Sequence, residues 1–182
     1  MSQNETDRIP LTILYTGNGK GKTTAAMGLV LRTLGHQKQC AVLQFIKSPD
    51  LKTGEKAFAQ EHALVWENYG EGFLWNLEDE GATRDACRTG WQRAKELIET
   101  YQYELIVLDE FTYPLERGYV DVHEVISYLS KLAKDSRMPH LVITGRDAPE
   151  ALIEAADMVH QIVEVKHPWR TAQVPAQICI EY

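Results

Sequence analysis

The sequence lacks any apolar run near the length of a membrane-spanning helix, which takes about 20 consecutive apolar residues. It also lacks a cysteine framework. Cys40, Cys87 and Cys179 are odd in number, far apart and contain no C-x-x-C. That pattern argues against a disulfide scaffold or a zinc site and fits buried, reduced thiols. Positive charge is short as well. The 182 residues carry 19 Lys and Arg against 26 Asp and Glu, a formal net charge of −7. A nucleic-acid surface needs a basic face, so none is expected. No repeat or low-complexity tract is present, and the polar start has no apolar core of the signal-peptide kind. These absences point to a cytoplasmic protein with neither membrane nor nucleic-acid partners. Residues 1–10 are expected to be disordered and residues 11–182 to form a single domain.

The most informative segment is residues 16–24, TGNGKGKTT, which follows the apolar run Leu11-Thr12-Ile13-Leu14-Tyr15 and precedes an Ala-rich helical pattern. Strand, glycine-rich turn and helix in that order make a phosphate-binding loop. Glycines let backbone N–H groups approach an anion, and the following helix adds the positive end of its dipole. Lys22 is placed to bridge phosphate oxygens and the Thr23 hydroxyl to ligate Mg²⁺. The usual pattern has four residues between its first glycine and Gly-Lys-Ser/Thr. Here Thr16 holds that first position and Gly17 comes one residue late. Lys20 and Lys22 held close together would repel without an anion, which favours nucleotide binding over a bare strand-to-helix turn.

Hydrophobic periodicity predicts strands at 11–16, 40–46, 62–67, 105–108, 140–144, 158–165 and 176–180. Helices are predicted at 22–34 and 82–101, and a third opens at an Asp121/Glu124 capping box. A short helix is expected from Pro149, and loops at 48–56 and 70–76. Strands alternating with helices imply an α/β fold with a mainly parallel sheet.

Residues 105–110, Leu-Ile-Val-Leu-Asp-Glu, form a second nucleotide-site motif, a buried strand that delivers acids beside the phosphate loop. Asp109 or Glu110 would hold Mg²⁺ with Thr23, since Mg²⁺ takes few protein carboxylates and keeps water and phosphate oxygens. Glu110 suits equally the role of a base that orients water for phosphate hydrolysis, and the residues alone leave both roles open.

The chain resembles the P-loop type of ATP:corrinoid adenosyltransferase. The resemblance rests on TGNGKGKTT (16–24), Arg32 with Gly35-His36, QFIK (44–47), GEGFLW (70–75), LDEFTY (108–113), Thr144-Gly145-Arg146, Val165-Lys166-His167 and the closing residues 177–182. The late first glycine is this family's own variant. The resemblance implies a RecA-like three-layer P-loop sandwich, usually a homodimer. The implied reaction is attack by Co(I) of a reduced corrinoid on the 5′ carbon of ATP, with triphosphate as leaving group. An electron-donating flavin reductase or flavodoxin is the implied partner. Gly17, Asn18, Gly19, Lys20, Gly21, Lys22, Thr23 and Thr24 would cradle the triphosphate, and Lys22, Thr23 and Glu110 would carry catalysis. Thr23, Asp109 and Glu110 would serve Mg²⁺, while Phe73 and Trp75 would pack beneath the corrin ring and exclude its lower ligand. Arg32 and Arg146 are further ligand-binding candidates, and Lys47, Lys166 and His167 weaker ones. Some members carry an N-terminal helix over the corrinoid site, and residues 1–10, with Pro10 among them, are not expected to form one. A RecA-like ATPase or kinase that cleaves the β–γ bond is the alternative.

Overall fold

The computed structural model describes residues 8–48, 50, 52–70 and 80–181. Among these residues, β1 (Thr12–Thr16), β2 (Cys40–Phe45), β3 (Val65–Tyr69), β4 (Leu105–Asp109), β5 (His140–Thr144) and β6 (Met158–Gln161) form one sheet. The strand order is β3-β2-β4-β5-β1-β6, and every neighbouring pair is parallel. The helices are α1 (Lys22–Gly35), α2 (Gly54–Glu61), α3 (Glu80–Glu99), α4 (Thr112–Glu116), α5 (Val122–Leu132), α6 (Glu150–Ala155) and α7 (Pro168–Ala172).

Side chains alternate across a strand, so each strand feeds two cores. On one face Ile13, Val42, Val107 and Val142 pack with Ala26 and Val30 of α1. On the other, Leu14, Leu43, Leu108 and Ile143 pack with Trp91, Ala94 and Ile98 of α3 and Val125 and Leu129 of α5. The result is a helix–sheet–helix sandwich, as expected for a RecA-like P-loop fold. Strands covered on both faces need apolar residues at every position, which is why β2 reads as a near-continuous apolar run and is buried throughout. A parallel sheet also brings all strand carboxyl ends to one edge. The phosphate loop after β1, the acids after β4 and Arg146 after β5 therefore share that edge.

Several expectations change. The stretch predicted as a loop at 48–56 runs into α2, which opens at Gly54 because the Thr53 hydroxyl accepts from the Lys56 N–H. Asp121 caps α5 by accepting from the His123 N–H, but Glu124 does not close a capping box. Its carboxylate instead accepts from the Trp91 indole N–H at 3.0 Å and from Lys95 at 2.9 Å. The strand predicted at 158–165 ends at Gln161. Ile162 makes one more sheet bond, N–H to Thr16 O, and then gives its carbonyl to the Gly19 N–H. The chain is thereby drawn off the sheet onto the phosphate loop. The segment predicted as a strand at 176–180 joins no ladder: residues 176–177 are irregular and 178–181 form a turn. Arg8, within the expected disordered segment, donates to the carbonyls of Ser136, Met138 and Glu104 and belongs to the packed domain. No helix among the described residues is long and apolar enough to cross a membrane.

Candidate active site at the carboxyl edge of the sheet

The phosphate loop is shaped by two glycines. Gly17 has φ 95° and Gly21, which caps α1, has φ 107°, both in the left-handed region that side chains resist. A Cβ at Gly17 would fall 2.5 Å from Ile162 O, and one at Gly19 would fall 2.9 Å from it. The late first glycine therefore has a local cause: the turn and the close passage of Ile162 both come after Thr16. Lys22 is buried, and its ammonium donates to Gly17 O at 2.7 Å and Gly19 O at 2.8 Å. Burial holds it below the usual lysine range, against the attraction of Glu110 and Asp109. Lys20 pairs with Glu181 at 2.5 Å. The repulsion expected of the two lysines is thus avoided by turning one inward onto carbonyls and the other towards the carboxyl-terminal segment.

Asp109, at the end of β4, is fully buried. Its Oδ1 accepts from the hydroxyls of Thr23 (2.8 Å) and Thr144 (2.7 Å). Its Oδ2 accepts from Gln44 Nε2 (2.8 Å) and Lys47 Nζ (3.2 Å). Burial opposes ionisation, yet Lys47 and the three neutral donors outweigh it and hold the carboxyl below its ordinary range. Glu110 is the opposite case. Burial, then the charge of Asp109, push its carboxyl up. Its backbone sits at φ 58°, with its N–H given to Thr144 Oγ1. Ile46, next to Lys47, holds φ 69°, a costly conformation for a β-branched residue. Both outliers stand at the carboxyl ends of adjacent strands, where strain accompanies functional geometry.

Arg146 follows β5 and is exposed at the same edge. Its carbonyl accepts from the buried Thr112 hydroxyl at 2.5 Å, and Gly145 (φ 148°) lies so close beneath that a Cβ there would strike Thr112. Asn18, Thr24 and Gly21 are exposed around the loop. Arg32 stands apart: it lies in the last turn of α1, roughly 15 Å along the helix from Lys22 at 1.5 Å per residue. His167 caps α7 through Nδ1, which accepts from the Trp169 N–H. Phe73 and Trp75 lie outside the described residues.

These groups suit a magnesium triphosphate. The donors are hard oxygens, as Mg²⁺ requires. Thr23 keeps oxygen lone pairs for a cation while its proton is held by Asp109. Both Asp109 oxygens already accept two donors each, so Asp109 could act on a cation only through Thr23, and Glu110 is the neighbouring carboxylate that could face one. Two residues of this network, Gln44 and Thr144, stand in the matching segments QFIK and Thr144-Gly145-Arg146, but the sequence assigned neither a role. The signal was present in Gln44, the one polar side chain in Cys-Ala-Val-Leu-Gln-Phe.

The profile of the ATP:corrinoid adenosyltransferase family BtuR/CobO/CobP matches residues 8–182. A corrinoid adenosyltransferase of Sinorhizobium sp. is 38% identical over 181 residues, covering 98% of this chain and 83% of the relative. One of Escherichia coli is 36% identical over 97% of this chain and 87% of its own length. The corrinoid adenosyltransferase CobA of Salmonella typhimurium is 37% identical over 94% and 85% respectively. With a family profile matching residues 8–182 and relatives at 36–38% identity spanning nearly all of it, the chain belongs to the ATP:corrinoid adenosyltransferase family.

Proposed function

We infer that the protein transfers the 5′-deoxyadenosyl group of ATP to the Co(I) of a reduced corrinoid and releases triphosphate. The observation that carries this is the phosphate loop with Lys22 buried against its own carbonyls and Thr23 held by Asp109, in a chain whose relatives are named corrinoid adenosyltransferases. The cobalt–carbon bond forms as the C5′–oxygen bond breaks, so negative charge develops on the departing triphosphate. Lys22, Lys20 and the loop N–H groups stabilise that charge, fixed before the reaction begins. Thr23 and Glu110 would hold Mg²⁺, which when bound would supply further neutralisation of the phosphate oxygens. Arg146, pinned by Thr112, faces a phosphate or a corrinoid side chain. No side chain need act as nucleophile, since the metal of the substrate performs the attack.

The reading extends to surroundings. The protein works in the cytoplasm, where Cys40, Cys87 and Cys179 stay free, and a flavin reductase or flavodoxin supplies the electron. Homodimerisation has physical support in the chain beyond β6, where Val163, Val165, Trp169, Ile178 and Ile180 are exposed.

The test is an anaerobic reaction with Mg-ATP and chemically reduced cobalamin, following the corrinoid spectrum and the phosphate product together. Light-sensitive adenosylcobalamin with one triphosphate per turnover is expected. Orthophosphate with no spectral change would instead favour the β–γ-cleaving ATPase, with Glu110 as its water-orienting base. A second expectation concerns Trp75 in GEGFLW. Trp75→Ala should slow transfer to cob(II)alamin under reducing conditions by about tenfold or more and leave ATP affinity unchanged. Equal loss of ATP binding would mark Trp75 as a core residue.

A further inference from the structure

A row of hydrogen-bonded polar side chains crosses four adjacent strands, β3, β2, β4 and β5. Asn68 of β3 is in register with Gln44 of β2, and Gln44 with Asp109 of β4. Asn68 Nδ2 donates to Gln44 Oε1 at 2.9 Å, Gln44 Nε2 donates to Asp109 Oδ2 at 2.8 Å, and Thr144 of β5 donates to Asp109 Oδ1. Gln44 is 4% exposed and Asp109 and Thr144 are 0% exposed. Burying such groups is unfavourable unless every one is satisfied, and an apolar residue at position 44 would continue the run of β2 without that demand.

The direction of the row is forced from one end. An ionised Asp109 accepts only, so Gln44 must turn its NH₂ towards it. The Gln44 oxygen then faces β3, and Asn68 must present its own NH₂. Only this orientation satisfies all three groups, and it leaves Asp109 Oδ1 aimed at Thr23 on α1. Asp109 thus orients the Gln44 amide and through it Asn68, and the satisfied amides in turn hold the carboxylate in place against the hydroxyl at the head of α1.

We propose that Gln44 and Asn68 are positioning residues for the metal–triphosphate site, fixing Asp109 and through it the Thr23 hydroxyl. The proposal rests on the inferred role of Thr23 in holding Mg²⁺. Neither side chain touches the nucleotide. Each acts by removing the rotational freedom of the carboxylate that orients a ligand, as outer partners do at metal sites generally.

The experiment measures dissociation of a fluorescent ATP analogue from purified protein across a Mg²⁺ titration, with thermal unfolding recorded for every variant. Asn68→Asp keeps the shape of the side chain and loses its donor. Gln44→Met keeps the length and loses both links, and Asn68→Asp carries the test should Gln44→Met fail to fold. Both variants are expected to raise the Mg²⁺ concentration for half-maximal binding about tenfold, with affinity for the analogue in the absence of Mg²⁺ unchanged. Thr23→Ala, measured in parallel, is expected to raise it at least as much. A shift in Thr23→Ala with none in Asn68→Asp overturns the proposal and leaves the site assignment standing. No shift in Thr23→Ala overturns the site assignment itself. A lowered unfolding temperature with an unmoved Mg²⁺ dependence would make the row structural only and also overturn the proposal.

Discussion

Replacing Lys22 with alanine is expected to weaken ATP binding by about 10- to 100-fold, the loss of the one charge-assisted hydrogen bond its third N–H can give a phosphate, at roughly 1.5–3 kcal/mol. The Lys22 ammonium already makes two such bonds, to Gly17 O and Gly19 O. It braces the two ends of the loop and, on the proposed reading, is the buried cation offered to the phosphates. Because it is buried, no water can take over either task. Lysine held below its usual pKa range is also poorly solvated as a cation, so an incoming phosphate gains more from it than from an exposed lysine. Lys20 is the natural contrast. It is half exposed and paired with Glu181, so the same substitution there should reduce affinity only a few-fold. Calorimetric titration with ATP compares the two variants directly. An unchanged affinity in Lys22→Ala would remove the phosphate loop from the site.

Much of this was legible in the sequence because the residues concerned obey local rules. The strand–glycine–helix order around Gly17 and Gly21 requires positive φ, and the structure has it there. The apolar runs of β2, β4 and β5 need burial on both faces, and two cores supply it. The acids after β4 arrive beside Thr23 because a parallel sheet delivers its strand ends to one edge. What stayed hidden depends on partners distant in sequence. Glu124 looked like half of a capping box, but Trp91 and Lys95 of α3 offer its carboxylate two stronger donors. The segment after Gln161 has the alternation of a strand, yet Gly19 takes the carbonyl of Ile162 and ends the ladder. Gln44 could be seen as an oddity in β2, but its meaning needs the registers that set Asn68 on one side of it and Asp109 on the other. Arg32 shows the reverse limit, since the resemblance singled it out and the length of α1 carries it away from the phosphate loop.

The largest effect on stability is expected from Asp109. Asp109→Ala leaves Lys47, Gln44, Thr144 and Thr23 without their shared acceptor at a fully buried point. Breaking a buried pair in this way costs about 3–5 kcal/mol. For a chain of this size that corresponds to a fall in Tm of roughly 10 °C at neutral pH. Asp109→Asn is the sharper variant. The amide keeps the shape and can still accept from Thr23 and Thr144, but its NH₂ then meets the donors of Lys47 and Gln44. It should therefore lose most of the same stability, whereas a site that needed only volume would tolerate it. The pH dependence follows from the direction of the shift. The folded-state pKa of Asp109 lies below its unfolded value, so its contribution is fully present above the unfolded carboxylate pKa of about 3.9. It is lost as pH falls through the folded value. Glu110 has the opposite sign, because burial raises its folded pKa, so its contribution is present below the unfolded carboxylate pKa and is lost as pH rises through the folded value. The gap in Tm between the parent protein and Asp109→Ala should therefore be widest near neutral pH and close as the solution is acidified below about pH 4. Thermal unfolding of the parent and both variants across that range reads the gap, and Asp109→Asn unfolding at the parent temperature near neutral pH would show that the four donors do not depend on this carboxylate.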